Sequence, residues 1–338
     1  MKTATKRRLV SLAQLAFGMG LLGLIVSGMR DKGDLFQALR DAAAHWPLLG
    51  TGILCFLACL IVSAVRWKIL MDARDLVLPL RRVLALNFLG HFFNSFLFGA
   101  TGGDLVKAWY ASRELPRKKT EAVATVFIDR VVGLVGLVLV AVTIMMWRLN
   151  FFLAMPETRT ALIFNLALLG TAVLAFFIVF RRNLLKRWSF FRRLEQRTSL
   201  GRIAGRAYTT FHLCLNDPAV VVKTIALSMA NHLILVTCAF YFGAAIEIGL
   251  PYRDYLTVFP VINAVAGIPL TPGGLGTREA AAKFLLGALG VPGTRAVMVS
   301  LLLYATMLTW SLVGGIVYLF YVYNQGQKPP PDPASLQR

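Results

Sequence analysis

Ile268–Lys283, IPLTPGGLGTREAAAK, sets helix breakers and charge inside an otherwise apolar third of the chain. Pro269 and Pro272 each remove a backbone N–H, and Gly273, Gly274 and Gly276 loosen the chain before TREAAAKFLL resumes as a good helix former. The stretch reads as a broken helix. Where the helix restarts, its first free N–H groups and positive dipole end face the space the break opens, and Arg278 adds a full charge beside them, which favours an anion. Phe98–Trp109, FGATGGDLVKAW, repeats the pattern with Thr101, the pair Gly102 and Gly103, and a restart carrying Asp104 and Lys107. Two breaks of one kind suggest two halves of one site.

The surrounding chain is membrane-like. Of its 338 residues 57% are hydrophobic and 15% charged, with a mean hydropathy of +0.66, which excludes an ordinary soluble domain. A helix needs about 20 mostly apolar residues to cross the hydrocarbon, and such runs lie near 9–29, 47–65, 122–147, 161–180, 219–244 and 295–323. The net charge of +20 sits in short loops between apolar runs, so it encodes orientation and does not point to nucleic acid. Cys55, Cys59, Cys214 and Cys238 form no CxxC, and His45, His91, His212 and His232 are scattered, so neither a metal nor a cofactor is expected. Gly18–Gly23 is formally GxGxxG, but it lies inside an apolar span where glycines serve helix packing.

Charge gives the topology. MKTATKRR precedes an uncleaved first span, which puts the N-terminus in the cytoplasm. Residues 30–46 balance acids and bases as an outer loop. Arg66-Trp67-Lys68 with Arg74, Arg81 and Arg82 then reads as a basic inner loop, with Trp67 as an interfacial anchor. Residues 83–111 have basic flanks on both sides, the far one being Arg113, Arg117, Lys118 and Lys119, so both ends belong to the cytoplasm. That requires a re-entrant helical hairpin whose tip lines a cavity. Span 122–147 carries Asp129 and Arg130, a costly placement whose default reading is function; a pairing of Arg130 with Asp104 or Glu279 would be structural. Nine Arg or Lys against Glu195 mark 181–206 as cytoplasmic, and 202–215 reads as an interfacial amphipathic helix. Residues 256–290 dip from the outer face, and 325–338 form a Pro-rich, disordered cytoplasmic tail.

The expected fold is therefore an all-α polytopic membrane protein with six full spans and two re-entrant helical hairpins in an inverted repeat. One transmembrane domain covers 1–324, with repeat 1 at about 9–147 and repeat 2 at about 161–323. Asn94 precedes the first glycine pair much as Asn263 precedes the second. Inverted repeats with discontinuous helices meeting near the midplane are a transporter architecture.

Asn94 with Gly102-Gly103-Asp104, the Asp129-Arg130-xx-Gly133-Leu134 element, and Pro272-Gly273-Gly274-Leu275-Gly276-xx-Glu279 resemble the flippase-like integral membrane family. That family includes the transmembrane flippase half of bacterial lysyl-phosphatidylglycerol synthases. The resemblance spans nearly the whole chain and implies lipid translocation across the cytoplasmic (inner) membrane, with headgroups passing between the hairpins. The soluble aminoacyl-transferase domain of the full synthases is not in this sequence, so lysine transfer to lipid is not expected.

On this reading the substrate is a phospholipid or lipid-linked headgroup with an anionic phosphate, moved by alternating access. Arg130 and Arg278, with the helix starts at Gly102-Gly103 and Gly273-Gly274 and with Asn94 and Asn263, would bind it. Asp104, Asp129, Glu279 and Lys107 would hold those groups, contact a cationic headgroup or carry a coupling proton. No GxxxxGK[ST] sequence provides for ATP hydrolysis. A membrane-embedded glycosyltransferase or other lipid-modifying enzyme using Asp31 or Asp34 is the alternative, and a partner lipid-synthesis enzyme fits either.

Overall fold

The computed structural model describes residues 33–96, 102–154, parts of 158–171, 217–267, 271 and 274–326. The expected spans at 9–29 and, for the most part, 161–180 lie outside these residues, as do the basic stretch 181–206, the amphipathic helix expected at 202–215 and the tail from 327 on; residues 325 and 326, expected in the tail, are helical. The described residues form ten bounded helices: α1 (Gly33–Ala44), α2 (Trp46–Asp72), α3 (Leu80–Phe96), α4 (Gly102–Glu114), α5 (Lys119–Trp147), α6 (Leu149–Ala154), α7 (Pro218–Ala245), α8 (Tyr252–Ala266), α9 (Thr277–Gly287) and α10 (Gly293–Gly326). Four of them, α2, α5, α7 and α10, are long and apolar enough to cross a membrane. They coincide with four of the six expected spans.

Local chemistry explains the helix ends. Pro47 stands at the start of α2 and Pro218 at the start of α7, where a missing N–H costs nothing. At α7 the Asp217 carboxylate also accepts the N–H groups of Ala219 and Val220. The two glycine-pair stretches separate short helices, α3 from α4 and α8 from α9, each shorter than a full span. Within the first pair the helices run antiparallel and close. A Cβ on Gly103 would stand 2.0 Å from the Gly90 carbonyl oxygen, and one on Gly90 3.1 Å from Lys107 Cβ. In the second pair Gly274 and Gly276 both take positive φ, at 74° and 84°, which only glycine adopts readily.

Two expectations need correction. Residues 33–44, read as an outer loop, form α1, because Ala38 and Ala42 recur at helical spacing and are buried against the bundle. Arg66-Trp67-Lys68 is not a loop but the continuation of α2. Trp67 is no interfacial anchor: it is fully buried and donates its indole N–H to Thr125. The helix continues through these charges because Arg66 has an acid facing it.

The long helices interlock through small residues. α2 and α7 pack antiparallel, with Cys238 donating to the Gly52 carbonyl and Cys59 to that of Asn231. Gly314 and Gly315 bring α10 against Phe88 and Phe92 of α3. α5 packs on α4 and α8, and α10 on α3 and α9, so these two long helices each touch both broken pairs. Leu54, Leu134, Leu312 and Phe320 project outward from the long helices, as lipid contact requires.

Candidate functional site

Adjacent residues on a helix point in different directions, and Asp129 and Arg130 use this to reach two neighbours. Asp129 is buried and accepts the Arg66 Nε–H across the gap to α2 at 2.8 Å. Arg66 Nη1 also donates to Ser228 of α7, at 3.1 Å, and Ser228 donates to the Gly133 carbonyl. Arg130 turns toward α4 and pairs with Asp104 at 2.6 Å, and half of its side chain remains exposed (52%). Of the two structural pairings considered for Arg130, the geometry selects the one with Asp104, so part of its role is to hold α4 to α5 while its exposed half stays open to the cavity.

The first glycine pair positions Asp104. Asn94, near the end of α3, accepts the Gly103 N–H at 2.9 Å, satisfying one of the free donors where α4 begins. Its amide nitrogen lies 3.4 Å from the same Asp104 oxygen that holds Arg130. One turn further on, Lys107 donates to Asn87 Oδ1 at 2.9 Å and sits 3.9 Å over the Trp67 ring. Asn87 in turn donates to the Leu60 carbonyl. Lys107 is buried, yet it forms no ion pair among the described residues; its charge rests on an amide and an aromatic face.

These groups surround a cavity of about 190 Å³, reached by α2, α3, α4, α5 and α7. Arg66, Lys107 and Arg130 face it with Asp104 and Asp129, three cations against two carboxylates. Both carboxylates are paired, so one positive charge is in excess. Asn94 and His91 also line the cavity; His91 bonds the Met307 carbonyl of α10. The Asp104 Oδ2 and Asn231 Oδ1 atoms are buried without a hydrogen-bond partner among the described residues. Acceptors left in that state cost free energy unless something donates to them.

The second break is built differently. Glu279 is fully buried, accepting the Gly276 N–H on one oxygen and the Ser300 hydroxyl of α10 on the other, at 2.7 Å for the latter. Arg278 beside it is partly buried, and the Asn263 amide nitrogen and Thr271 hydroxyl are buried without partners among the described residues. Gly273 lies outside the described residues. The structure thus brings Asn94, Asp104, Lys107, Asp129 and Arg130 to one cavity, with Gly102 and Gly103 at the helix start beside it. Asn263, Gly274, Arg278 and Glu279 are not among its lining residues. Arg66, Asn87, Ser228 and Asn231 belong to the site and were not recognised from sequence. Asp31 lies outside the described residues, and Asp34 stands at the start of α1.

An all-helical bundle with apolar outer faces and a charged cavity among its long helices defines a polytopic membrane protein with an internal polar site. The chain belongs to the family described as the lysylphosphatidylglycerol synthase TM region, whose model it matches over residues 11–318. It is similar to a UPF0104 membrane protein of Methanothermobacter thermautotrophicus, with 23% identity over 93% of this chain and 94% of the relative. No solved structure matches it.

Proposed function

We propose that the chain is a lipid translocase that moves a phospholipid or lipid-linked headgroup between leaflets of the cytoplasmic membrane by alternating access. The observation that carries this reading is the surplus cation: a cluster of five charged side chains, net positive by one, around an internal cavity. Each charge at membrane depth costs roughly 2.5–3.5 kcal/mol to insert on translocon scales. Mutual pairing of Arg66 with Asp129 and Arg130 with Asp104 accounts for four of them and leaves Lys107 over. An anionic phosphate entering beside half-exposed Arg130 would complete the balance.

The geometry also supports two re-entrant hairpins of opposite entry. Arg82, in the first turn of α3, and Glu114, at the end of α4, both contact Tyr321 near the end of α10. The far end of α3 contacts α10 at Met307 and Ser311, ten or more residues earlier, or about 15–20 Å at 1.5 Å per residue. That is roughly half the hydrocarbon thickness. At the other end of α10, Arg295 bonds the carbonyls of Ile246 and Glu247, where α7 ends. Asp254, at the start of α8, pairs there with Arg148, just beyond α5. Hence α8–α9 would enter from the face opposite to α3–α4.

The inverted repeat has support in the exchange of partners between α2 and α7. Cys59 donates to Asn231 and Cys238 to Gly52, so a two-fold that swaps the helices carries one bond onto the other. On this reading the second hairpin, with Asn263, Gly273, Gly274 and Arg278, forms the half-site used when the cavity opens to the other face. Glu279 and Asp104 would hold the two tips.

Reconstitution of the full chain into liposomes with headgroup-labelled lipids tests the function. Protein-dependent movement of at least one anionic lipid class between leaflets is expected. Unchanged labelling across phosphatidylglycerol, phosphatidylethanolamine and polyprenyl-phosphate substrates, with correctly inserted protein, would overturn it.

A further inference from the structure

A second recess, sharing no residue with the central cavity, lies between the start of α3 and the end of α10 and encloses about 500 Å³. Pro79 and Ala85 form one side; Val317, Phe320 and Tyr321 form the other. Its closed end follows from the packing deeper in: at Gly314 a Cβ would come 2.3 Å from the Phe88 carbonyl oxygen, so the helices touch there. Its open side continues into the apolar exterior, where Leu319 and Phe320 are mostly exposed.

Two guanidinium groups stand on this apolar recess, Arg81 and Arg82. Arg81 is exposed, and Arg82 lies 5.6 Å from the centre of the Tyr321 ring. Neither is ion-paired among the described residues. Glu114 accepts the Tyr321 hydroxyl but does not line the recess, whose walls among the described residues carry two cations and no carboxylate. A soluble anion would satisfy the arginines but leave the apolar wall bare. A neutral lipid would do the reverse.

We infer that this recess is a binding site for an anionic diacyl phospholipid, with one acyl chain along Ala85, Val317 and Phe320 and the phosphate on Arg81 and Arg82. Basic residues at the membrane surface attract anionic headgroups, and here they stand where a hydrocarbon chain also has a groove. The bound lipid would join the first turn of α3 to the last turns of α10. The inference does not depend on the transport reading.

The test is thermal melting of the full chain in a mild detergent, titrated with phosphatidylglycerol, with phosphatidylcholine of the same acyl chains, and with free glycerol 1-phosphate. Phosphatidylglycerol should raise the melting temperature at the lowest concentration, phosphatidylcholine only at higher concentration, and glycerol phosphate not at all. Arg81→Gln with Arg82→Gln should weaken the response to phosphatidylglycerol by about thirtyfold, as expected for two interfacial cations, and bring it level with phosphatidylcholine. Ala85→Trp, which fills the groove, should blunt the response to both lipids. Equal potency of the two lipids on the wild type, or an intact phosphatidylglycerol preference in the double arginine variant, overturns the site.

Discussion

Arg66 and Asp129 meet at 2.8 Å between α2 and α5, with 7% and 5% of their side chains exposed. Each charge is tolerable there only because of the other. Breaking such a pair from one side leaves an uncompensated charge and costs about 3–5 kcal/mol, whereas replacing both partners with apolar groups is often neutral. Arg66→Met should therefore lower stability by that amount in denaturant melts of the detergent-solubilised chain. Arg66→Met combined with Asp129→Leu should recover to within about 1 kcal/mol of the wild type. A single variant as stable as the wild type would show that the pair does not hold α2 to α5.

Lys107 makes the opposite case. Its ammonium is buried against Asn87 and the Trp67 ring with no ion-paired acid among the described residues, so a neutral side chain of similar length relieves desolvation while losing one hydrogen bond. Lys107→Met should melt within about 1 kcal/mol of the wild type. If the surplus charge binds the phosphate, the same variant should slow lipid movement in liposomes by at least about tenfold, a loss of about 1.4 kcal/mol. Full transport by a stable Lys107→Met protein would remove this residue from the site.

Gly103 and Gly50 separate a required glycine from a replaceable one. A Cβ at Gly103 would stand 2.0 Å from the Gly90 carbonyl oxygen and 2.4 Å from the Asn94 nitrogen, both backbone atoms that cannot turn aside. Gly103→Ala must push α3 and α4 apart, at a cost at or above the upper end of about 1–3 kcal/mol typical of overpacking. Gly50, in α2, has nothing within 4 Å of the same position, so Gly50→Ala should be neutral or stabilising by up to about 1 kcal/mol. Melting temperatures and folded yields of the two variants decide between these outcomes.

The broken segments were legible because glycine pairs and prolines interrupt an apolar run in a way no ordinary span requires. The long helices were legible from length and hydropathy. Arg66 was not, because a window that seeks apolar residues stops at the first charge, and whether a charge ends a helix or finds a partner is a tertiary question. A signal was nonetheless present: Cys59, Ser63 and Arg66 recur at helical spacing and all face the cavity, as do Asn87, Gly90 and Asn94 on α3. A polar stripe along an apolar helix marks an internal surface more reliably than a single charged residue does. The different roles of Asp104 and Glu279 were not readable, since both follow a glycine at a helix restart. Only the fold shows that Glu279 turns back on Gly276 and Ser300 while Asp104 reaches Arg130.

The re-entrant reading makes a labelling pattern that two ordinary spans would not. Arg81 and Arg117 flank the α3–α4 pair, Arg253 and Pro292 flank α8–α9, and all four positions are exposed. With the four native cysteines replaced by alanine or serine, a single cysteine at each position can be tested with a membrane-impermeant maleimide in sealed vesicles of known orientation. Arg81→Cys and Arg117→Cys should react from one side, and Arg253→Cys and Pro292→Cys from the other. Because Arg82 and Glu114 both meet Tyr321, the first two positions cannot separate across the bilayer without breaking those contacts. Labelling of Arg81→Cys and Arg117→Cys from opposite sides would make α3 and α4 parts of one crossing. It would also remove the hairpin tip, and with it the position that places Asp104 and Lys107 at membrane depth.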